Sequence, residues 1–284
     1  MPGFSAQYKK LRRSVELAGK SQSTLTNYAR CLAHMGLHLQ RDLLDLDDEQ
    51  VLDYLHVLQS KHKTPSDSFF KHTVYGLRYL YRIYQKTESR VILPSIPRQK
   101  KLPAVLSQQE VKQLLVAPKL LKHRLILSLL YGCGLRNAEL CKLKITDCDL
   151  ERMLHVRLGK GGKDRYVPLG DMLVRGIQRY LSAEHPVEYL FNGKSRTGEY
   201  IALTPRGVQW ATREARRLSR INKQVTAHAL RHSYATHLLE MGTDIITLKD
   251  LLGHEDIKTT LLYLHVARVG RSTPFSPLDK LYEG

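Results

Sequence analysis

Within Thr226 to Tyr263, reading TAHALRHSYATHLLEMGTDIITLKDLLGHEDIKTTLLY, the chain carries His228, Arg231, His254 and Tyr263. Each suits a phosphodiester: guanidinium holds the anion through paired hydrogen bonds, imidazole hydrogen-bonds it or moves its protons, and a phenol can attack phosphorus. A second arginine, Arg136, lies upstream in YGCGLRNAEL, after a glycine turn and before a helix. Taken singly, each has an ordinary explanation. The arginines could be surface or ion-paired, His254 could interact with carbonyls at a helix end after Gly253, and Tyr263 competes with fourteen others of the 15 tyrosines, most of which pack. His228 and Arg231 are three apart on a helix and so share a face.

Other chemistries fit less well. GCGLRN lacks the third glycine of a dinucleotide fingerprint, and GKGGKD lacks the glycine spacing and the Ser or Thr of a Walker loop, so neither NAD nor ATP is indicated. His228 and His232 stand four apart, but Arg231 between them repels a cation and no HExxH glutamate is present, which argues against zinc. Cys31, Cys133, Cys141 and Cys148 show no CxxC spacing and read as reduced thiols. No metal and no cofactor is expected.

The elements that must position these residues fall into two blocks. Apolar residues recur at helical spacing through Leu25, Tyr28, Leu32, Met35 and Leu39 behind Ser23 and Thr24, and through Val51, Leu52, Leu55 and Leu58 behind Asp47 and Asp48. Phe70, Val74, Leu77, Tyr81 and Tyr84 form a third stripe, and with the opening segment they predict a bundle of about four helices over residues 1–91. Residues 92–106, with three prolines and the basic Arg98, Lys100 and Lys101, predict a linker. Ser107 and Glu110 have capping-box spacing, so a second domain is expected over 107–284. There, an apolar helix over Leu125 to Leu130 stops at Gly132 and Gly134, and Asn137 offers a cap for the next. Leu154 to Leu158 and Arg165 to Leu169 read as a β-hairpin with the basic tip GKGGKD, and Thr204-Pro205 opens a helix carrying Arg213, Arg216, Arg217 and Arg220. Gly242 and Gly253 then separate three helices, the last holding Tyr263. The expected fold is mainly α with a small β-sheet in an α+β catalytic domain, plus the N-terminal helical bundle.

Lysine and arginine number 45 against 27 acids, a formal charge of +18 over 284 residues, which favours a polyanionic partner and above all nucleic acid. The basic faces near Lys9, Lys10, Arg12, Arg13, Lys61 and Lys63 are either solvated surface or a phosphate track. A polybasic membrane-surface protein is a minor alternative. The charged N-terminal segment lacks an apolar core and no run approaches a membrane span, so a cytoplasmic, nucleoid-associated location is expected.

In combination the motifs resemble the tyrosine recombinase, or phage integrase, family: GLRNAEL at Arg136, HxxR at His228 and Arg231, LLGHEDIKTT at His254, and the tyrosine nine residues on. The GKGGKDRYVPL hairpin is similar to that family's lysine-bearing turn, with the lysine at Lys160. The resemblance is strong over Ser107 to Tyr263. The order of elements looks most like the bacterial Xer-type enzymes or a mobile-element integrase, whereas the tail HVARVGRSTPFSPLDKL is similar to integron integrases, without their helical insertion between Phe191 and Thr204.

The resemblance implies a site-specific recombinase that cuts and rejoins duplex DNA without ATP or metal. Tyr263 would form a 3′-phosphotyrosyl link, Arg136 and Arg231 would hold the phosphate, and His228 would be the base. Lys160 would protonate the leaving 5′ oxygen, His254 would hydrogen-bond the phosphate, and Glu139 would either orient Arg136 or form a surface ion pair. Lys100, Lys101, Lys163, Arg213, Arg216 and Arg217 are candidate DNA contacts. Four protomers would assemble on two sites, with Phe275, Leu278, Leu281 and Tyr282 in the tail as a docking segment. Type IB topoisomerase-like relaxation and a non-cutting architectural DNA-binding protein are the alternatives.

Overall fold

The computed structural model describes residues 2–60, 67–86, 103–151, 153–157, 164–195 and 197–267. The chain divides into two compact units, Met1–Lys100 and Lys101–Gly284.

The first unit is a bundle of α1 (Pro2–Leu17), α2 (Gln22–Leu39), α3 (Asp48–Ser60) and α4 (Asp67–Ile83). Leu25, Leu32 and Met35 of α2 meet Val74, Leu77 and Leu80 of α4, with Leu11 and Val15 of α1 and Val51 and Leu55 of α3 completing the core. The aromatic stripe of α4 joins this core: Tyr81 is buried and Phe70 packs at its edge, so neither is a free stacking platform. Helix α2 starts earlier than Ser23 and Thr24 suggest, because the Ser21 hydroxyl accepts the Thr24 N–H. Asp47 caps α3 through the Gln50 N–H. Lys9, Lys10, Arg12 and Arg13 line an exposed side of α1, with Arg12 paired to Glu16.

The second unit begins with α5 (Gln108–Val116), whose capping box is formed as expected: Ser107 Oγ accepts the Glu110 N–H and the Glu110 carboxylate accepts the Ser107 N–H. Helix α6 (Leu121–Gly132) is followed by α7 (Asn137–Lys142). Asn137 is the first residue of α7 rather than its cap, and the Arg136 N–H is satisfied instead by Glu139. An antiparallel sheet of order β1 (Cys148–Asp149), β2 (Met153–Val156), β3 (Arg165–Pro168) contains the expected hairpin. Its pairs Leu154 with Val167 and Val156 with Arg165 share the inward face, whereas Tyr166 points to solvent. Helix α8 (Asp171–Glu184) and the short hairpin of β4 (Asn192–Lys194) and β5 (Tyr200–Ala202) had no sequence counterpart in the periodicity.

Helix α9 (Pro205–Ser219) starts at the Thr204 cap, and α10 (Ala227–Glu240) runs through the centre of this unit. Ala229, Leu230, Arg231, Ser233, Tyr234, Ala235, Thr236, His237 and Leu239 are all buried, so α10 is covered on nearly every side. Ser233 Oγ accepts the Leu106 N–H and His237 Nδ1 meets the Tyr131 hydroxyl, anchoring α10 to the start of the unit and to α6. Then come α11 (Ile245–Leu252), capped by the Asp244 carboxylate, and the one-turn α12 (Lys258–Leu261). Tyr263 lies in the 3-10 turn Leu262–His265 that follows α12, not in an α-helix as the sequence suggests.

A glycine at positive φ holds the start of this layout. Gly134 (φ +57°) turns the chain between α6 and α7, and a Cβ there would overlap the Tyr234 ring. Replacing Gly134 with Ala is therefore expected to destabilise the second unit by about 2–3 kcal/mol, through left-handed strain and overpacking. In calorimetry this appears as a fall in Tm of roughly 5 °C or more.

Candidate active site

The site is organised by the C-terminus of α11. Gly253 (φ +60°) reverses the chain, its N–H bonding the Asp250 carbonyl and the His254 N–H bonding the Lys249 carbonyl. The next three carbonyls project away from the helix, and three arginines from three other elements take them in order. Arg165 Nε of β3 donates to Leu251 at 2.9 Å, Arg231 Nη2 of α10 to Leu252 at 2.5 Å, and Arg136 Nη2 to Gly253 at 3.0 Å. Orphan carbonyls and the negative end of the helix dipole make this a natural seat for cations.

Glu139 ties the same arginines together. Its carboxylate accepts two bonds from Arg165 (2.9 and 2.8 Å), one from Arg136 Nη1 (2.7 Å) and one from the Arg136 backbone N–H (2.8 Å), and Arg231 Nη1 stands 3.9 Å away. Its side chain is 5% exposed, so it is no surface ion pair. Burial alone would raise its pKa, but hydrogen bonds and charge from Arg165, reinforced by Arg136, hold it at about 2. Arg231, with Nη1 also on the Gly134 carbonyl at 2.5 Å, is pulled down to about 10 by burial and then by Arg136, against the attraction of Glu139. One carboxylate thus holds three guanidiniums, leaving a net positive centre.

The histidines and the phenol form the neighbouring layer. Arg231 Nη2 donates to His254 Nε2 at 3.2 Å, which requires the His254 proton on Nδ1, where it meets Thr260 Oγ1 at 2.9 Å. The His254 ring lies parallel to that of Tyr263, 7° between planes and 6.5 Å between centroids. Tyr263 is 3% exposed among Tyr234, Leu248 and Leu252, and burial raises its pKa while Arg231 and Arg136 oppose the rise. Its hydroxyl meets His232 Nδ1 at 2.9 Å. Among the described residues no hydrogen bond joins it to His228, the base the sequence reading assigned. His228 sits one turn earlier on α10, its pKa lowered by partial burial of the ring, Arg231 and Arg136.

The structure therefore brings together Arg136, Glu139, His228, Arg231, His254 and Tyr263, and adds two residues. Arg165 was legible only as a strand residue, although its pairing with Val156 and its alternation with Tyr166 put it on the buried face. His232 was visible as the residue four after His228, but nothing in the spacing names the phenol as its partner. Lys160, Lys163, Lys100, Lys101 and the tail residues Phe275, Leu278, Leu281 and Tyr282 lie outside the described residues. Of the α9 arginines, Arg213 is exposed, Arg217 pairs with Glu214, and Arg216 donates to the carbonyls of Ile221 and Asn222.

Comparison with known proteins gives this arrangement a lineage. Residues 104–269 match the phage integrase family, and residues 8–90 match the phage integrase N-terminal SAM-like domain. The chain belongs to the phage integrase family. It is 33% identical over 266 residues to a tyrosine recombinase of Thermosipho africanus, covering 87% of this chain and 90% of that protein. It is 36% identical over 261 residues to the tyrosine recombinase XerA of Thermococcus onnurineus, covering 89% and 88%. Its fold is shared with XerH bound to a palindromic difH substrate (TM-score 0.72, 22% identity, 92% of this chain and 82% of that one) and with a lambda integrase dimer bound to a COC' core site (0.70, 21%, 94% and 97%). Like its relatives of the tyrosine recombinase group, it is an enzyme of DNA cleavage and strand transfer. Among the described residues no helix is long and apolar enough to cross a membrane.

The three-arginine seat makes acid sensitivity specific. Glu139, at about 2 when folded against an ordinary 4.5, contributes stability that is complete above pH 4.5 and is lost as pH falls towards 2. Glu139→Gln should lose about 3 kcal/mol at neutral pH, because two buried guanidiniums and the half-buried one of Arg136 are left uncompensated. It should also lose that segment of the acid dependence, as read from Tm against pH for both proteins.

Proposed function

We propose that this recombinase is site-specific and acts on duplex DNA through a covalent tyrosyl intermediate. The observation that carries the reading is the pair Arg136 and Arg231, fixed on consecutive carbonyls of one helix end beside Tyr263. Guanidinium keeps its charge and offers paired hydrogen bonds, so two of them on the non-bridging oxygens neutralise the charge that must be held as phosphorus is attacked. That role leaves the chemistry independent of ATP and of a metal.

Tyr263 Oη attacks the scissile phosphorus, the bond to O5′ breaks, and a 3′-phosphotyrosyl link preserves the phosphodiester for rejoining. Lys160 supplies the proton to the leaving oxygen. His228 adds an imidazole hydrogen bond to the phosphate, since the phenol pairs with a different histidine. His254 does the same once Arg231 turns to the phosphate: its proton moves to Nε2, which donates to the phosphate, while Nδ1 accepts from the Thr260 hydroxyl. Glu139 positions Arg136.

The +18 charge supports a polyanionic duplex as the partner, with Lys100, Lys101, Lys163 and Arg213 as the contacts to its backbone. Four protomers on two sites exchange strands, with the tail joining neighbours, in the cytoplasm at the nucleoid. The solved XerH and lambda integrase chains, described as bound to a difH substrate and to a core site, support a DNA partner.

Nicked suicide DNA carrying the cognate site should trap a denaturation-resistant adduct with the wild type and none with Tyr263→Phe. Arg136→Lys should slow adduct formation by about 100-fold or more, because a point charge cannot reproduce the paired contact. An equal adduct yield from Tyr263→Phe would sink the nucleophile assignment.

A further inference from the structure

We propose that His232 is the proton acceptor of the Tyr263 nucleophile, a catalytic role for a residue outside the motif positions that the family resemblance marks. The inference rests on the reading of Tyr263 as nucleophile and concerns what happens to its proton.

The geometry is specific. Tyr263 Oη and His232 Nδ1 are 2.9 Å apart, and the ring centroids 5.6 Å, so the imidazole edge meets the hydroxyl. The phenol has little freedom to seek another partner. Its ring is 3% exposed, held by Tyr234, Leu248 and Leu252, and stacked against His254. His232 itself projects from α10, whose preceding turn carries His228 and Arg231. The groups facing it are His228 and Arg231 from its own helix, Tyr263 from the 3-10 turn, and His254 behind that phenol.

The same surroundings make the acceptor depend on substrate. Burial, His228 and Arg231 together depress the His232 pKa to about 4, so without DNA the imidazole is neutral and too weak a base to ionise the phenol. A phosphate seated on Arg136 and Arg231 brings a negative charge into this field, offsets the guanidiniums and strengthens His232 as a base. The same negative charge also offsets the pull of Arg231 and Arg136 on the phenol, so no free phenolate forms and His232 takes the proton as the Oη–P bond is made.

The step balances. With the His232 proton on Nε2, Nδ1 accepts the Tyr263 proton as the Oη–P bond forms and the P–O5′ bond breaks, the leaving oxygen taking its proton from the separate donor. In rejoining, the 5′-hydroxyl attacks phosphorus and gives its proton back to that donor, the Oη–P bond breaks, and His232 Nδ1–H returns the proton to Tyr263 Oη.

The test varies the acidity of the nucleophile. Single-turnover adduct formation on suicide DNA is measured for wild type and His232→Asn, each with Tyr263 or with a difluorotyrosine at position 263, whose phenol is a stronger acid. Asparagine keeps a polar atom near the Nδ1 position but accepts no proton. Expected is a rate loss of about 100-fold for His232→Asn with tyrosine, unchanged DNA affinity, and a loss below about tenfold with difluorotyrosine, which needs less help to ionise. An identical loss with both nucleophiles, or a wild-type rate in His232→Asn, overturns the assignment. If the asparagine variant does not fold, His232→Gly assayed with added imidazole replaces it: restored rate supports the role, and no restoration rejects it. Absence of a Tyr263-dependent adduct in the wild type would instead reject the nucleophile itself, and is distinguished by being seen before any substitution at His232.

Discussion

The second unit depends on one electrostatic arrangement: the last carbonyls of α11 and the buried Glu139 carboxylate, shared among Arg136, Arg165 and Arg231. Three permanent cations packed together would repel one another and strip the interior of stability. The helix end supplies neutral but oriented acceptors and Glu139 supplies the one full negative charge, so each guanidinium is hydrogen-bonded while the group stays positive. That surplus is what a phosphodiester meets. The arginines also cross-link β3, α10 and the turn before α7, so the geometry of the anion site and the packing of the unit are the same set of contacts.

Glycine makes the arrangement possible at its centre. Gly253 adopts positive φ, closes α11 onto its own backbone and delivers His254, and an added Cβ there would press on Arg165 at 3.1 Å. One turn of chain therefore does three things: it ends a helix, exposes the carbonyls that seat the arginines, and sets the imidazole that stacks on Tyr263. The consequence for the nucleophile is burial. Tyr263 stands in an apolar cluster with its hydroxyl on His232, a setting that keeps the phenol protonated until its proton can pass to a neighbour.

The amphipathic stripes of the first unit, the capping box at Ser107, the hairpin of β2 and β3 and the Thr204-Pro205 start of α9 were all legible, because each depends on neighbours within a few residues. Helix α8 and the β4–β5 hairpin were not, since their short or mixed patterns gain meaning only against the core they cover. Ser21 in place of Ser23 at the start of α2, and the Glu139 carboxylate on the Arg136 N–H in place of an Asn137 cap at α7, show how a cap depends on which side chain reaches the free N–H groups rather than on residue type alone.

By itself the sequence determined the chemical inventory: a strongly basic chain, two blocks joined near residue 100, and the arginine, histidine and tyrosine set that marks the family. Those are matters of residue type and short spacing. Tertiary structure decided who touches whom. It turned Arg165 from a strand residue into a partner of Glu139 and gave the phenol to His232 instead of His228. It also fixed the His254 proton on Nδ1 through Arg231 and Thr260. These contacts join residues far apart in the chain, and their strength comes from burial and shared charge, neither of which exists until the elements have packed.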